Sequence, residues 1–402
     1  MKRVCVLGLG HIGLPTASVL ATVGFKVVGV DVNPHVVDVI NSGRVHIEEP
    51  DLDVLVKAAV LSGKLHATLT VEEADAFLVA VPTPLRDEHV PDVRAVEEAV
   101  TRILPVLRPG NLIILESTCP VGTTESIVAA PIAKLGFEIG RDVFVVYCPE
   151  RVLPGRVLKE LADNDRVIGG ITRRCAEHAR ELYRTFVRGK CHLTDCRTGE
   201  LVKLVENAFR DVNIAFANEV SMICSDLGLD VWELIRLANR HPRVDILRPG
   251  PGVGGHCIAV DPWFIVSQVP KRTRLIREAR EINIAKTRWV LDEISEAANA
   301  RRAPTIALLG AAYKADVDDV RESPALEIAK ALKARDVGRL IIVDPHVREV
   351  PGFEIWPLAK GIAEADIVAI LVPHHAFLPL PPLDGKTVID ACGLLAWEQT
   401  DA

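Results

Sequence analysis

The sequence predicts an α/β protein built of two Rossmann-like doubly wound domains joined by a central helical region. Short apolar segments with strand character alternate with helical patterns over the first 197 residues. A long helical stretch without proline follows at 198–227, and apolar strand segments return after residue 303. Such alternation gives a parallel sheet covered on both faces, because each parallel strand needs a crossover before the next.

The first strand is expected at 4–7, a helix rich in small residues at 13–24, and a second strand at 26–31 ending in Asp31. Residues 4–25 carry no formal charge and so imitate a signal peptide or membrane anchor. Gly8, Gly10, Gly13 and Pro15 interrupt them, and the β-branched run from Val27 follows. A buried strand, a glycine turn and a buried helix explain that pattern better than export does.

Further strands are expected at 76–81, 111–116, 143–147 and 166–169, with helices at 51–61, 93–107 and 122–135. After 198–227, helices around 230–239 and 274–300 flank a Gly- and Pro-rich loop at 241–262. Strands then return at 305–310, 339–344, 366–372 and 387–391. The expected domains are 1–197, 198–302 and 303–402.

Composition narrows the function. Hydrophobic residues make up 49% and charged residues 25%, the profile of a soluble globular enzyme. The 47 Lys and Arg against 54 Asp and Glu leave a charge of -7, which argues against nucleic acid or an anionic membrane as partner. Nine cysteines are scattered without C-x-x-C spacing or a zinc-like arrangement with histidine, as expected of reduced thiols in a cytoplasmic protein. No metal is expected.

Gly8-Leu9-Gly10-His11-Ile12-Gly13 follows a strand and opens a helix, as a dinucleotide fingerprint must. The first glycine makes the turn, the second admits the pyrophosphate, and the third lets helix and strand pack closely. Asp31 can accept hydrogen bonds from a ribose 2′-OH and would repel a 2′-phosphate, so the cofactor is NAD rather than NADP. Asp344 ends a strand in the same manner, but Gly310-Ala311-Ala312-Tyr313-Lys314 lacks the fingerprint. The C-terminal domain is therefore not expected to hold a second dinucleotide in the usual way.

Gly252-Val253-Gly254-Gly255-His256-Cys257 suggests backbone close to a ligand and a thiol presented to it. A lone cysteine is by default a buried structural residue, so this reading leans on its neighbours. On a helix Asn207 lies about 40° to one side of Lys203 and Arg210 about 20° to the other. They form a polar stripe that is either a solvated face or the wall of a polar cavity.

Seven segments, in order, carry a resemblance: GLGHIGLP (8–15), ESTCPVG (116–122), CPERVLPG (148–155), KLVENAFRDVNIAFANE (203–219), HPRV (241–244), PGPGVGGHCIAVDP (249–262) and YKADVDDVRESPA (313–325). Over essentially the whole chain they resemble the nucleotide-sugar 6-dehydrogenase family, which includes UDP-glucose and GDP-mannose dehydrogenases. Arg151-Val152 and His241-Pro242-Arg243 are most similar to its UDP-N-acetyl-D-mannosamine branch. The resemblance implies oxidation of the sugar C6 alcohol to a carboxylate with two NAD+ per turnover, and a C-terminal UDP-sugar-binding domain. It makes Cys257 the nucleophile of a thiohemiacetal and then a thioester. Lys203 and Asn207 match oxyanion and proton-handling residues, Asp261 a carboxylate that handles water and protons, and Thr118 and Glu150 positions near nicotinamide and catalytic water. Substrate contacts carry over to Arg151, Val152, Lys203, Asn207, Arg210, His241, Arg243, Gly254, Tyr313 and Lys314. NAD contacts carry over to the fingerprint, His11, Ile12, Asp31, Thr83 and Thr118, with Arg321 expected at the pyrophosphate.

Three departures stand out: His11 where the family often has Tyr, Cys119 where a hydroxyl residue or Val is usual, and Ala312-Tyr313 for Ala-Phe. None removes a catalytic group. UDP-N-acetylglucosamine and UDP-glucose remain alternative substrates. A β-hydroxyacid dehydrogenase needs no thiol and no second α/β domain, and a non-catalytic NAD scaffold would show no reactive Cys257. The resemblance also implies a homodimer through the long central helix. Adjacent His374 and His375 are expected to point to opposite faces of a strand, in surface or packing roles, and Asp316, Asp318 and Asp319 to form a solvated loop in which Asp319 orients Arg321.

Overall fold

The computed structural model describes residues 1–153 and 155–397, so Pro154 of the CPERVLPG segment lies outside the described residues. The chain forms two compact units, Met1–Val205 and Glu206–Ala402.

The first unit opens with β1 (Arg3–Leu7), α1 (Gly13–Thr22), β2 (Lys26–Val30), α2 (Pro34–Asn41), α3 (Leu52–Leu61), β3 (Leu65–Thr68) and β4 (Ala76–Val79). A small hairpin of β5 (Leu85–Arg86) and β6 (Val90–Pro91) precedes α4 (Arg94–Ile103) and β7 (Leu112–Leu115). A π-helical stretch, Thr124–Ala129, runs into α5 (Ala130–Lys134). β8 (Phe144–Tyr147), α6 (Val157–Asp163), β9 (Arg166–Gly170), α7 (Arg173–Tyr183) and β10 (Cys191–Asp195) follow, and α8 (Cys196–Leu227) begins here.

The eight main strands form one sheet in the order β10-β9-β8-β7-β4-β1-β2-β3. Alternate residues of each strand enter opposite cores, as the period of two requires. Val4 and Val6 join Ala76, Leu78 and α1 on one face, while Cys5 and Leu7 join Phe77, Val79 and α4 on the other. The expected parallel sheet is found with one departure: β8 and β9 pair antiparallel. Residues 148–165 hold only the seven-residue α6 and turn the chain back on itself. Regular crossover through α7 then makes β9 and β10 parallel to each other.

The second unit holds most of α8, then α9 (Val231–Ala238), α10 (Asp261–Gln268) and α11 (Arg274–Asn299). β11 (Thr305–Leu309), α12 (Pro324–Arg335), β12 (Arg339–Val343), α13 (Leu358–Glu364), β13 (Ile367–Ile370), β14 (Thr387–Asp390) and α14 (Leu394–Trp397) complete it. Its parallel sheet has the order β12-β11-β13-β14. Val290, Ile294 and Ala298 of α11 share a core with Ile306, Leu308 and α12, so the helical region and this sheet fold as one body.

A buried polar ladder joins α8 to α11. Arg280 Nη1 donates to Asp211 Oδ1 at 2.6 Å, Asn283 Nδ2 to the same oxygen at 2.8 Å, and Asn218 Nδ2 to Asn283 Oδ1 at 2.8 Å. Asn218 Oδ1 accepts the Gly250 N–H at 2.9 Å, extending the ladder into the glycine-rich loop. Lys286 Nζ donates to Ser221 Oγ at 2.9 Å, and burial pushes this lysine down to about 7. Along α8, Leu201, Val205, Phe209, Phe216, Ile223 and Leu227 are exposed. Their spacings confine them to an arc of about 80°. Among the described residues no helix is long and apolar enough to cross a membrane.

Candidate active site

The fingerprint glycines of the first unit have different jobs. Gly8 has φ +88°, and a Cβ on it would lie 2.5 Å from the Ala80 carbonyl oxygen. A Cβ on Gly13 would lie 1.8 Å from the Gly8 oxygen, so close packing of α1 on β1 demands glycine there. At Gly10 a Cβ would meet nothing within 4 Å, which leaves open space ahead of the α1 N-terminus where a pyrophosphate fits. Asp31 takes the Leu9 N–H on Oδ2 at 3.0 Å and the Asn33 N–H on Oδ1 at 2.9 Å, fixing the carboxylate beside the turn. These residues suit NAD. His11 is exposed and Ile12 half-buried on the same turn.

Thr83 and Thr118 are brought together: Thr83 Oγ1 donates to the Thr118 carbonyl at 2.6 Å. Sequence reasoning missed the carboxylate that fixes the next residues. Glu200, fully buried at the start of α8, accepts the Gly122 N–H at 2.6 Å and the Thr124 N–H at 2.7 Å. Cys119 donates to it at 3.7 Å, and burial, with Glu200 nearby, pushes that thiol well up.

Arg166 was missed as well. Its Nη1 donates to Glu150 Oε2 at 2.6 Å, and the Arg151 N–H holds Oε1 at 2.7 Å. A lone arginine in an otherwise apolar strand was the available signal, since a buried guanidinium requires an acceptor. Arg151 and Val152 follow at intermediate exposure. Arg166 also lies 5.4 Å from the Tyr183 ring, whose hydroxyl donates to Glu116 Oε1 at 2.7 Å. The second Glu116 oxygen has no hydrogen-bond partner among the described residues. Burial, together with Glu150, lifts the Glu116 carboxyl to about 7, against the opposing pull of Arg166 and Tyr183.

In the second unit Cys257 is exposed, four residues before α10, and its carbonyl accepts the Asp261 N–H at 2.8 Å. Asn207 Nδ2 donates to Asp261 Oδ2, which joins α8 to the first turn of α10. Lys203, half-buried, lies one turn before Asn207 on α8. The loop glycines answer first to packing within this unit. A Cβ on Gly254 would sit 2.3 Å from the Glu322 oxygen, and one on Gly255 would sit 2.8 Å from the Tyr313 ring. Their number therefore has a structural cause beside any close approach of a ligand. Burial, with Asp319 and Cys257, pushes the Tyr313 hydroxyl up, and Lys314 Nζ lies 5.7 Å from the Tyr313 ring. Asp319 grips Arg321 through Nε at 2.8 Å and Nη2 at 2.6 Å, as expected of an orienting carboxylate. Arg210, His241 and Arg243 are exposed.

One expectation is corrected. His374 and His375 do not alternate across a strand, because β13 ends at Ile370 and they stand at the turn beyond it. His374 is completely buried, and both histidines converge on Asp316. Asp316, His346 and His374 bring one ligand-type atom each within 4.8 Å, but His374 Nδ1 already accepts the Asp316 N–H at 3.0 Å.

A dinucleotide cradle with a carboxylate at the end of its second strand, in a chain that also presents an exposed thiol, defines an NAD-dependent dehydrogenase. Known proteins narrow the class. The UDP-glucose/GDP-mannose dehydrogenase family's NAD binding domain matches residues 2–187, its central domain 197–285 and its UDP binding domain 307–396. The NDP-N-acetyl-D-galactosaminuronic acid dehydrogenase of Ralstonia nicotianae is 53% identical over 98% of this chain and 96% of that protein. The UDP-N-acetyl-D-mannosamine dehydrogenase of Escherichia coli is 52% identical over 97% of this chain and 98% of that protein. The solved UDP-N-acetyl-mannosamine dehydrogenase Cap5O from Staphylococcus aureus matches with a TM-score of 0.91 at 42% identity, over 98% of this chain and 95% of that one. The chain belongs to the UDP-glucose/GDP-mannose dehydrogenase family.

Two outcomes follow from this geometry. Gly10→Ala is expected to fold with wild-type thermal stability yet bind NAD at least about tenfold more weakly by calorimetry, whereas Gly13→Ala loses stability outright. Equal melting-temperature losses in both variants would contradict the assignment of Gly10. For Glu116, the folded carboxyl holds its proton up to about 7 while the unfolded one has the ordinary value of 4.5. Its contribution to stability is present below the unfolded value and lost as pH rises through the folded one. Glu116→Gln should therefore be the more stable protein at pH 8, by on the order of 3 kcal/mol, and lose that advantage by pH 5. Urea unfolding at the two pH values measures the difference.

Proposed function

We propose that this protein oxidises the C6 alcohol of UDP-N-acetyl-D-mannosamine to UDP-N-acetyl-D-mannosaminuronate, reducing two NAD+ per turnover. The observation that carries a double oxidation is the exposed Cys257 beside the Asn207–Asp261 pair. The sugar is supported by the relatives named for it and by Arg151, Val152, His241 and Arg243.

Bound NAD+ supplies a hydride acceptor at the nicotinamide. Lys203 takes the C6 hydroxyl proton as the first hydride departs, leaving an aldehyde. The Cys257 thiolate adds to the aldehyde carbon, the carbonyl electron pair moves onto oxygen, and Lys203 and Asn207 stabilise that oxyanion. The adduct is tetrahedral and carries a hydride for the second NAD+; its loss leaves a thioester on Cys257. Water then attacks the acyl carbon, the C–S bond breaks, and the carboxylate leaves with the thiol restored. Asp261 holds the Asn207 amide so that its remaining N–H can face the oxyanion. Glu150, fixed by Arg166, accepts a hydrogen bond from the attacking water, with Thr118 beside the nicotinamide. Arg151, Val152, Arg210, His241, Arg243, Gly254, Tyr313 and Lys314 are assigned to the sugar nucleotide. Gly8, Gly10, His11, Ile12, Gly13, Asp31, Thr83 and Arg321 are assigned to NAD.

A second reading, oxidation of an NDP-N-acetyl-D-galactosamine, is favoured by the Ralstonia relative. The exposed apolar arc of α8 supports a homodimer through that helix. Nine unbridged cysteines support a reducing, cytoplasmic setting.

NADH yield per limiting sugar tests the assignment. Two NADH per UDP-N-acetyl-D-mannosamine are expected, with little from the galacto, gluco and N-acetylgluco compounds; two from another sugar would overturn the substrate and keep the chemistry. Cys257→Ser should form no uronate above background, and normal uronate from it would remove the nucleophile. Phe216→Asp should elute as a monomer by light scattering if α8 forms the dimer; an unchanged dimer would place the interface elsewhere.

A further inference from the structure

Outside the residues assigned to chemistry, a densely bonded cluster of the second unit lies at the C-terminal edge of its sheet. Asp344, at the end of β12, accepts the Ala311 and Ala312 N–H groups on Oδ2 at 2.7 and 3.3 Å. Its Oδ1 accepts the His346 and Val347 N–H groups, each at 2.9 Å. His374 Nε2 lies 3.2 Å from Asp344 Oδ2. On the other side of the ring, Nδ1 accepts the Asp316 N–H at 3.0 Å. A backbone N–H can only donate, so Nδ1 carries the lone pair and Nε2 the proton, which it gives to Asp344. His374 is thus held neutral, in one tautomer, with no exposed surface and the Phe377 ring edge-on at 5.2 Å.

What this ring holds is a strained loop. Asp316 has φ +59° and Glu322 φ +50°, left-handed conformations that non-glycine residues keep only when their surroundings impose them. At Asp316 the surroundings are residues 374 and 375, with His346 Nε2 3.7 Å from its Oδ1. Besides the His374 contact, the His375 N–H donates to Asp316 Oδ1 at 3.0 Å, and His375 Nδ1 contacts Oδ2. The same loop begins with Tyr313 and Lys314, and the Tyr313 N–H donates to the Asp319 carbonyl at 2.9 Å. The shape of the turn at 316 therefore sets where Tyr313 and Lys314 stand.

We propose that His374 is a positioning residue: bridging Asp344 to the Asp316 backbone, it fixes the loop that presents Tyr313 and Lys314 to the sugar nucleotide. The inference rests on the assignment of Tyr313 and Lys314 to that ligand, but the bridge has consequences of its own.

Two variants test it. His374→Gln offers a donor toward Asp344 and no acceptor at the Nδ1 position; His374→Asn keeps an acceptor near Nδ1. His374→Gln should raise KM for UDP-N-acetyl-D-mannosamine, and the Kd for UDP by calorimetry, about tenfold, with kcat and the KM for NAD within about threefold. His374→Asn should recover most of the loss. Hydrogen exchange supplies the readout that needs no substrate: in His374→Gln the amides of 313–322 should exchange faster while β11 and β13 stay protected. Uniform loss of protection across the unit would reduce His374 to a packing residue and overturn the proposal, as would unchanged KM and Kd with a loosened loop. Should His374→Gln fail to fold, Asp316→Ala removes the His375 contacts at a half-exposed site, with the same shifts expected and Asp316→Asn as the rescue. If wild type turns over none of the UDP-sugars, the functional reading falls, while the exchange pattern still decides whether the bridge holds the loop.

Discussion

A carboxylate with no exposed surface, Asp211, is the constraint on which the second unit depends. Burying that charge is tolerable only because Arg280 and Asn283 both donate to it. Burial pushes its carboxyl up, and the Arg280 guanidinium and Asn283 amide offset only part of that rise. Those donors come from α11 and the acceptor from α8, so satisfying the charge fixes the register of the two longest helices of this unit. Candidate-site residues of this unit are tied to that register. Asn207 stands one turn before Asp211 on α8, and Asn218, two turns after it, holds the Gly250 N–H at the root of the Cys257 loop. Apolar packing would have held two helices together with more freedom to slide.

Two strand-end aspartates show how one topological position is put to different uses. Asp31 and Asp344 both follow the second strand of a parallel β-α-β pair. Asp31 receives two backbone N–H groups and remains partly exposed beside an open glycine turn. Asp344 is buried and takes four backbone N–H groups and an imidazole, which together hold its carboxyl down to about 2 despite burial. One carboxylate retains acceptor capacity for a ribose; the other has spent it on its own chain. The difference lies in what fills the loop after the first strand, Gly-x-Gly in one unit and Ala-Ala-Tyr-Lys in the other.

Local signals were legible in the sequence. Apolar runs located the strands because both faces of a parallel sheet are buried, and the fingerprint glycines could be read from turn chemistry alone. The prominence of Cys257, Asn207 and Asp261 came through family resemblance, and the bond between the last two was not visible from their 54-residue separation. What escaped was non-local. The reversal of β9 depends on how little helix fits between β8 and β9, and the Arg166 partner of Glu150 and the Thr124 partner of Glu200 lie 16 and 76 residues away. The histidine pair was misread for a simple reason: the alternation rule was applied beyond the end of the strand, where the chain turns and aims both side chains at one residue.

The distribution of the nine thiols gives the chain one exposed point of entry for soft electrophiles. Burial pushes Cys5, Cys148 and Cys196 up to about 12, and pushes Cys119 and Cys392 well up too. Burial also raises Cys191. Cys257 alone stands exposed. Peroxide or an alkylating agent would thus find its most open target at Cys257, with only the half-buried Cys191 as a second accessible thiol. Under the role proposed for Cys257, modification and inactivation run in step, one equivalent for one chain.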